Sequence, residues 1–175
     1  LKFFKWGGQE CTAVPPWQRL SVEEAFMKYA DWSPLRQFDE ECFYFDLVDK
    51  VDRHLGVGKP TFLYHYPAPL AMLARVRLEE PPVARRFELY IAGVELANAF
   101  EELTDAEEQR RRFLNDLQRR RELGKPTYPV DERLLQSLER MPFCSGVALG
   151  VDRLIMLLSG ATDIAQVLAF PDEEV

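Results

Sequence analysis

The sequence predicts an α+β fold rather than a doubly wound sheet. Three observations carry this. Aromatic and branched runs of strand length occur at Thr61–Tyr66 and on either side of Ala92-Gly93. Helical patterns are grouped between those runs instead of alternating with them one for one. A run of small and apolar residues, Cys144–Leu149, passes through Gly150 into a helical pattern, so that strand, glycine turn and helix follow directly.

Taken in order, Leu1–Trp6 is short and apolar, is broken by Gly7-Gly8, and reads as the end of a helix whose beginning is missing. Pro15-Pro16 marks a connector. Ser21-Val22-Glu23-Glu24 is a capping-box pattern, with Ala25, Phe26 and Tyr29 at helical spacing behind it. A second helix is predicted over Glu40–Leu55, with Phe43, Leu47, Val51 and Leu55 as its apolar stripe and Gly56 as its stop. The strand Thr61–Tyr66 is closed by Pro67 and Pro69. Leu70–Val76 reads as a short helix over the site, and Glu79–Pro82 as a polar loop. Ala84–Tyr90 and Val94–Leu103 read as two strands joined by a tight hairpin at Ala92-Gly93. Asp105 caps a helix to about Leu123 that buries Phe113 and Leu117, and Gly124-Lys125-Pro126 stops it. Asp131 caps another helix to about Arg140. Val151, Leu154, Ile155 and Leu158 give the next helix, and Ala165–Phe170 is expected to return to the sheet.

Asp and Glu outnumber Lys and Arg, 29 against 22, so the net charge of −7 argues against a broad nucleic-acid-binding face. The one basic cluster, Arg110–Arg112 with Arg119–Arg121, is interleaved with Phe113, Leu114 and Leu117 and reads as a solvated helix face. Cys11, Cys42 and Cys144 are an odd set without CxxC spacing. They are read as free thiols of a reducing cytoplasm, not as a zinc site. No signal peptide and no apolar run of transmembrane length is visible, so no membrane partner is expected. His54 and His65 have no nucleophile partner within sequence reach and read as structural.

Two features point to chemistry. Arg153, at the start of a buried helix, suits a guanidinium that reaches a planar or phosphorylated ligand; the alternative is an ion pair with Asp152. Glu88 and Glu95 lie on facing strands of one hairpin, where converging carboxylates could hold magnesium; the alternative is a pair of exposed strand acids.

Three stretches carry a resemblance. Gly146-x-Ala148-x-Gly150-x-Asp152-Arg153-Leu154, followed by Met156-Leu157-Leu158-x-Gly160 and Ile164-x-x-Val167-x-x-Phe170-Pro171, resembles motif 3 of the class II aminoacyl-tRNA synthetases, in its lysine-type form. Arg86–Tyr90 with Gly93–Asp105 resembles the lysyl-tRNA synthetase block that carries the ATP-metal acids and the lysine pocket. Gly58–Pro67 with Cys144–Leu149 resembles the GenX/PoxA type, lysyl-tRNA synthetase-like enzymes that attach (R)-β-lysine to a lysine of elongation factor P. The resemblance runs from about Ser21 to Phe170, with motif 3 at about 144–158.

The resemblance implies the class II catalytic fold, an antiparallel sheet flanked by helices, here incomplete. Residues 1–175 would be the C-terminal portion of the catalytic domain. Motif 1, which builds a dimer interface, and motif 2, which supplies an arginine on the α-phosphate and an aromatic under adenine, are not in the sequence. With Leu1 in place of Met, a fragment or shortened gene product is expected, inactive by itself. The full-length protein would be a cytoplasmic homodimeric ligase that uses ATP and Mg2+, forms an aminoacyl-adenylate from lysine or β-lysine, and transfers the acyl group to elongation factor P. A lysyl-tRNA synthetase fragment acting on tRNA and a non-catalytic synthetase-like regulatory module are the alternatives. Residue by residue, the resemblance assigns ATP to Glu95, Leu96, Gly150 and Arg153, with Arg153 catalytic. It assigns the amino acid to Asn98, Glu102 and Ala148, and the metal to Glu88 and Glu95. Ala148 stands where lysyl-tRNA synthetases generally carry glycine and favours β-lysine. On an unbroken strand Glu95 would face away from Asn98 and Glu102, so a bulge is expected around Ala97-Asn98-Ala99.

Overall fold

The computed structural model describes residues 2–171. The first element differs from expectation. Phe3–Trp6 (β1) pairs antiparallel with Gln9–Thr12 (β2) in a separate hairpin. Gly7 and Gly8 hold φ of 56° and 77°, the positive values of a primed two-residue turn, so the chain reverses instead of ending a helix. Leu1 lies outside the described residues.

The main sheet is built from β3 (Gln18–Ser21), β4 (Thr61–Pro67), β5 (Val76–Arg77), β6 (Val83–Ile91), β7 (Val94–Glu101) and β8 (Ser145–Leu149). The order is β3-β4-β6-β7-β8, with β5 alongside β6. Among the described residues only β3 and β4 run parallel; every other pairing is antiparallel. The α+β expectation therefore holds, with one parallel edge.

One face of the sheet is covered by α1 (Val22–Tyr29) and by α2 (Glu40–Asp46) with the turns that follow it. The capping box at α1 is formed: the Ser21 N–H donates to Glu24 at 2.8 Å, and the Glu24 N–H donates to the Ser21 hydroxyl at 3.2 Å. The single helix expected over Glu40–Leu55 changes pitch twice, from α to a π segment at Leu47–Val51 and a 3-10 turn at Asp52–His54. Its stripe explains why. Phe43, Leu47, Val51 and Leu55 recur every fourth residue, which drifts by about 40° per step on a 3.6-residue helix. A wider π turn absorbs part of that drift, and all four side chains reach the core with Phe26, Leu63 and Tyr66. Gly56 then docks on the β6–β7 turn, where the N–H groups of Ala92 and Gly93 donate to the carbonyls of Gly56 and Leu55 at 2.9 and 2.8 Å. A Cβ on Gly56 would lie 2.6 Å from the backbone of Ile91, so only glycine allows this approach.

The opposite face packs Leu89, Ile91 and Ala97 against Cys11, Phe62, Trp6 and Leu157. Leu157 belongs to α5 (Val151–Ser159), preceded by α3 (Ala106–Glu122) and α4 (Glu132–Leu138). The Trp6 indole donates to the Ala161 carbonyl at 2.6 Å and ties the first hairpin to the chain after α5. In α3, Phe113 and Leu117 are only half-buried. Arg110, Arg111, Arg112 and Arg119 pair with Glu132, Glu108 and Glu40, so the basic cluster is largely neutralised internally.

Two further expectations fail. Leu70–Val76 forms no helix beyond a 3-10 turn at Ala68–Leu70. Backbone pairing with the end of β7 wins instead, through Arg75 N–H to Glu101 and Leu103 N–H to Leu73 at 2.8 and 2.9 Å. Ala165–Phe170 does not rejoin the sheet; Ile164–Val167 is a 3-10 turn and Phe170 is 83% exposed.

Candidate functional site

The site lies on the helix-covered face, where that cover gives out over β7 and β8. Its geometry depends on one irregularity. Along β6–β7, Glu88 pairs with Asn98 and Leu89 with Ala97, but Tyr90 pairs with Glu95. Leu96 is the extra residue, a bulge one position before the expected Ala97–Ala99. The shift inverts the parity of β7. Glu88, Tyr90, Glu95 and Asn98 thereby share one face, which Phe100 and Glu102 continue.

Glu88 is the centre of a buried network that the sequence did not reveal. Its Oε1 accepts from Arg86 at 2.5 Å, and its Oε2 accepts from the hydroxyls of Tyr66 and, at 2.8 Å, Tyr90. The Arg86 guanidinium sits 4.2 Å from the centre of the Tyr66 ring. Tyr66 reaches this face through a second irregularity. The β4–β6 register shifts between Tyr64 and Tyr66, and His65 between them has a φ of 60°. His65 is thus a single left-handed residue opposite two of β6, Arg85 and Arg86, and burial lowers its pKa, with Arg77 adding to the effect. The other histidine, His54, stacks on Tyr29 at 4.3 Å.

Two more acids face Glu88. Burial, then the charge of Glu88, raises the pKa of Glu95. The same two causes push Asp52 up to about 6. Asp52 belongs to the 3-10 turn and reaches the site because Gly56 docks on the hairpin; its Oδ1 is buried and has no partner among the described residues. Burial and then Glu88 also raise both tyrosines, which stay neutral donors. The sequence held no signal for Asp52, far away in the chain, whereas Arg86 and Tyr90 could have been found by extending the alternation from Glu88.

No cluster of three metal-binding side chains is found among the described residues. The pair Glu88 and Glu95 nevertheless fits a hard cation that completes its shell elsewhere. The two acids repel each other, three donors leave Glu88 one of about four lone-pair positions free, and among the described residues the Glu95 carboxylate has one ion pair, with Arg153 at 3.6 Å, while the charge of Arg86 also acts on it.

Arg153 pairs with Glu95, not with Asp152. Its guanidinium also donates to the Glu95 carbonyl at 2.8 Å. Gly150 caps α5 and donates its N–H to Leu96 at 2.9 Å. Glu95, Leu96, Gly150 and Arg153 are thus brought together. Further along the same face, Asn98 lies opposite Ala148 and Phe100 opposite Gly146. Ala148 is exposed, and the Asn98 side-chain oxygen is buried without a partner among the described residues. The Glu102 carboxylate rests over Gly146 and forms no ion pair among the described residues. Small side chains at Gly146, Ala148 and Gly150 leave an open floor edged by Glu95, Asn98 and Glu102.

A separate cavity of about 300 Å³ is lined by Arg19, Tyr64, His65, Arg77, Arg85 and Phe87 and meets the Glu88 network only at Arg86. It includes none of the expected site residues, and its Arg77 and Arg85 are paired with Glu79 and Glu101. No helix among the described residues is long and apolar enough to cross a membrane.

The family profile of class II tRNA synthetases (D, K and N) matches residues 2–174. The elongation factor P–(R)-β-lysine ligase of Proteus mirabilis (strain HI4320) is 46% identical over 177 aligned positions, which take in 88% of this chain and 54% of the relative. The chain thus spans about half the length of that curated relative.

Proposed function

The chain belongs to the class II tRNA synthetases (D, K and N), and from this membership we propose that it is the C-terminal part of the catalytic domain of an ATP-dependent ligase that activates lysine or β-lysine. The observation that carries the reading is the Leu96 bulge. With it, two acids suited to a metal share one open face with an Asn98 oxygen and a Glu102 carboxylate that have no partner among the described residues, beside an arginine at the head of α5.

In this reading the amino-acid carboxylate attacks the α-phosphorus of ATP. A new O–P bond forms, the bond to the bridging oxygen breaks, and pyrophosphate leaves. Two anions must meet, so positive charge is required. Arg153, planar and always charged, stacks on the base and faces phosphate. Gly150 and Leu96 present backbone to the nucleotide. Glu88 and Glu95 would hold magnesium, which neutralises phosphate charge when bound. The Arg86, Tyr66 and Tyr90 donors keep Glu88 oriented. Glu102 recognises the side-chain ammonium and Asn98 orients the amino acid, with Ala148 shaping the floor.

The acceptor we propose is a lysine of elongation factor P, supported by the likeness to the Proteus ligase. The full-length protein would act as a cytoplasmic homodimer. The test is lysine-dependent and (R)-β-lysine-dependent ATP–pyrophosphate exchange by the chain completed with the half its relative carries, followed by acyl transfer to elongation factor P or to tRNA. Exchange with β-lysine and label on elongation factor P are expected. Label on tRNA instead would make the protein a lysyl-tRNA synthetase.

A further inference from the structure

We propose that Gly146 is a positioning residue for the Glu102 carboxylate, and through it a determinant of selectivity for a side-chain ammonium; this rests on the amino-acid site described above. Gly146 has no positive φ, unlike Gly56 and Gly93, so its conformation does not call for glycine. Space does. The three heavy atoms nearest to where a Cβ would stand all belong to Glu102, and Oε1 occupies that place.

The Glu102 backbone is held on both edges. Its N–H donates to Cys144 at 3.0 Å, and on the other side Glu102 bridges Ala74. A Cβ at position 146 would therefore displace the Glu102 side chain, not the strand. Because Gly146 stands opposite Phe100 and Ala148 opposite Asn98, the carboxylate is folded back along β8 toward the orphan oxygen of Asn98. The bare Cα lowers it onto the floor. The neighbouring acid is treated differently: Glu101, on the other face, is neutralised by Arg75 and Arg85 at 3.5 and 2.7 Å. Glu102 has no such cation among the described residues, so its charge remains for a ligand.

The test uses the chain completed with the half its relative carries. Wild type, Gly146→Ala, Glu102→Gln and the double variant are titrated calorimetrically with lysine, (R)-β-lysine, and the counterparts lacking the terminal amine, norleucine and 3-aminohexanoic acid. Gly146→Ala is expected to weaken the two diamines by roughly tenfold or more and to leave the two monoamines and the melting temperature unchanged. Adding Glu102→Gln should cost little further, since both changes remove one interaction. If Glu102→Gln loses the diamines while Gly146→Ala binds them like wild type, the seat is overturned and the ammonium site stands. If neither variant discriminates, the ammonium lies elsewhere and both readings fall. Equal weakening of all four ligands with a lowered melting temperature would make Gly146 merely structural and overturn the proposal.

Discussion

The hydroxyl of Tyr90 donates to Glu88 two residues away on the same strand, at 2.8 Å. With Arg86 and Tyr66 it fixes an acid whose charge would otherwise be costly to bury. Tyr90→Phe removes one donor and leaves the carboxylate in place, so a loss of about 1–2 kcal/mol is expected in urea denaturation. An unchanged midpoint would show that Glu88 does not depend on this bond.

Glu88 and Glu95 should separate in their effects. Glu88 is paired with Arg86, and the two side chains are 10% and 6% exposed. Glu88→Gln leaves a buried guanidinium without its counter-ion and should cost about 3 kcal/mol or more. Glu95 is half-exposed, so Glu95→Gln should barely move stability. Both should weaken ATP binding in magnesium but not in EDTA, measured by titration on the completed protein; equal weakening in EDTA would remove the metal from their role.

Asp52 gives the fold a pH dependence. Its folded pKa, about 6, lies above the ordinary aspartate value of 3.8, so the folded state holds a proton that the unfolded state has released between those values. Stability contributed by this group is present below about pH 4 and is lost as pH rises through 6. Allowing for partial exposure, the loss is on the order of 1–2 kcal/mol. In EDTA, Asp52→Asn should flatten this part of the profile and raise the urea midpoint at pH 8. A wild-type slope in the variant would assign the titration to another acid.

Glu102→Gln keeps the shape at the end of β7 and removes the charge. In the completed protein, lysine-dependent exchange should fall by orders of magnitude, mainly through a higher KM for the amino acid, because a desolvated ammonium loses its only counter-ion. An unchanged KM would place the ammonium elsewhere.

Arg153→Lys keeps charge but loses the plane and the fork. ATP affinity should weaken by about 1–3 kcal/mol, while the melting temperature without ATP stays put, since the native Arg153 partners are exposed ones on Glu95. A large loss of thermal stability with ATP affinity retained would make Arg153 a structural partner of Glu95.

The parts of the fold that could be read in the sequence are those fixed by local rules. The capping box at Ser21, the primed turn at Ala92-Gly93 and the strand-to-helix turn at Gly150 are each set by a few adjacent residues. A conflict of parity between Glu95 and Asn98 was enough to call for a bulge. It could not place the bulge at Leu96, because register is decided by partners on β6. The Glu88 network was hidden for the same reason: Tyr66 reaches it only through the left-handed turn at His65, and Asp52 only through the docking of Gly56. The parallel edge at Gln18–Ser21 was missed because four mixed residues show no alternation until β4 pairs with them.

The bond from Trp6 to Ala161 joins two segments that lie far apart in the sequence. The first hairpin and the turn after α5 are therefore neighbours, and neither is held by local contacts alone. Loosening the first hairpin removes packing from Leu157 in α5, and α5 in turn carries Arg153. The footing of Arg153 thus depends in part on a hairpin near the other end of the described residues.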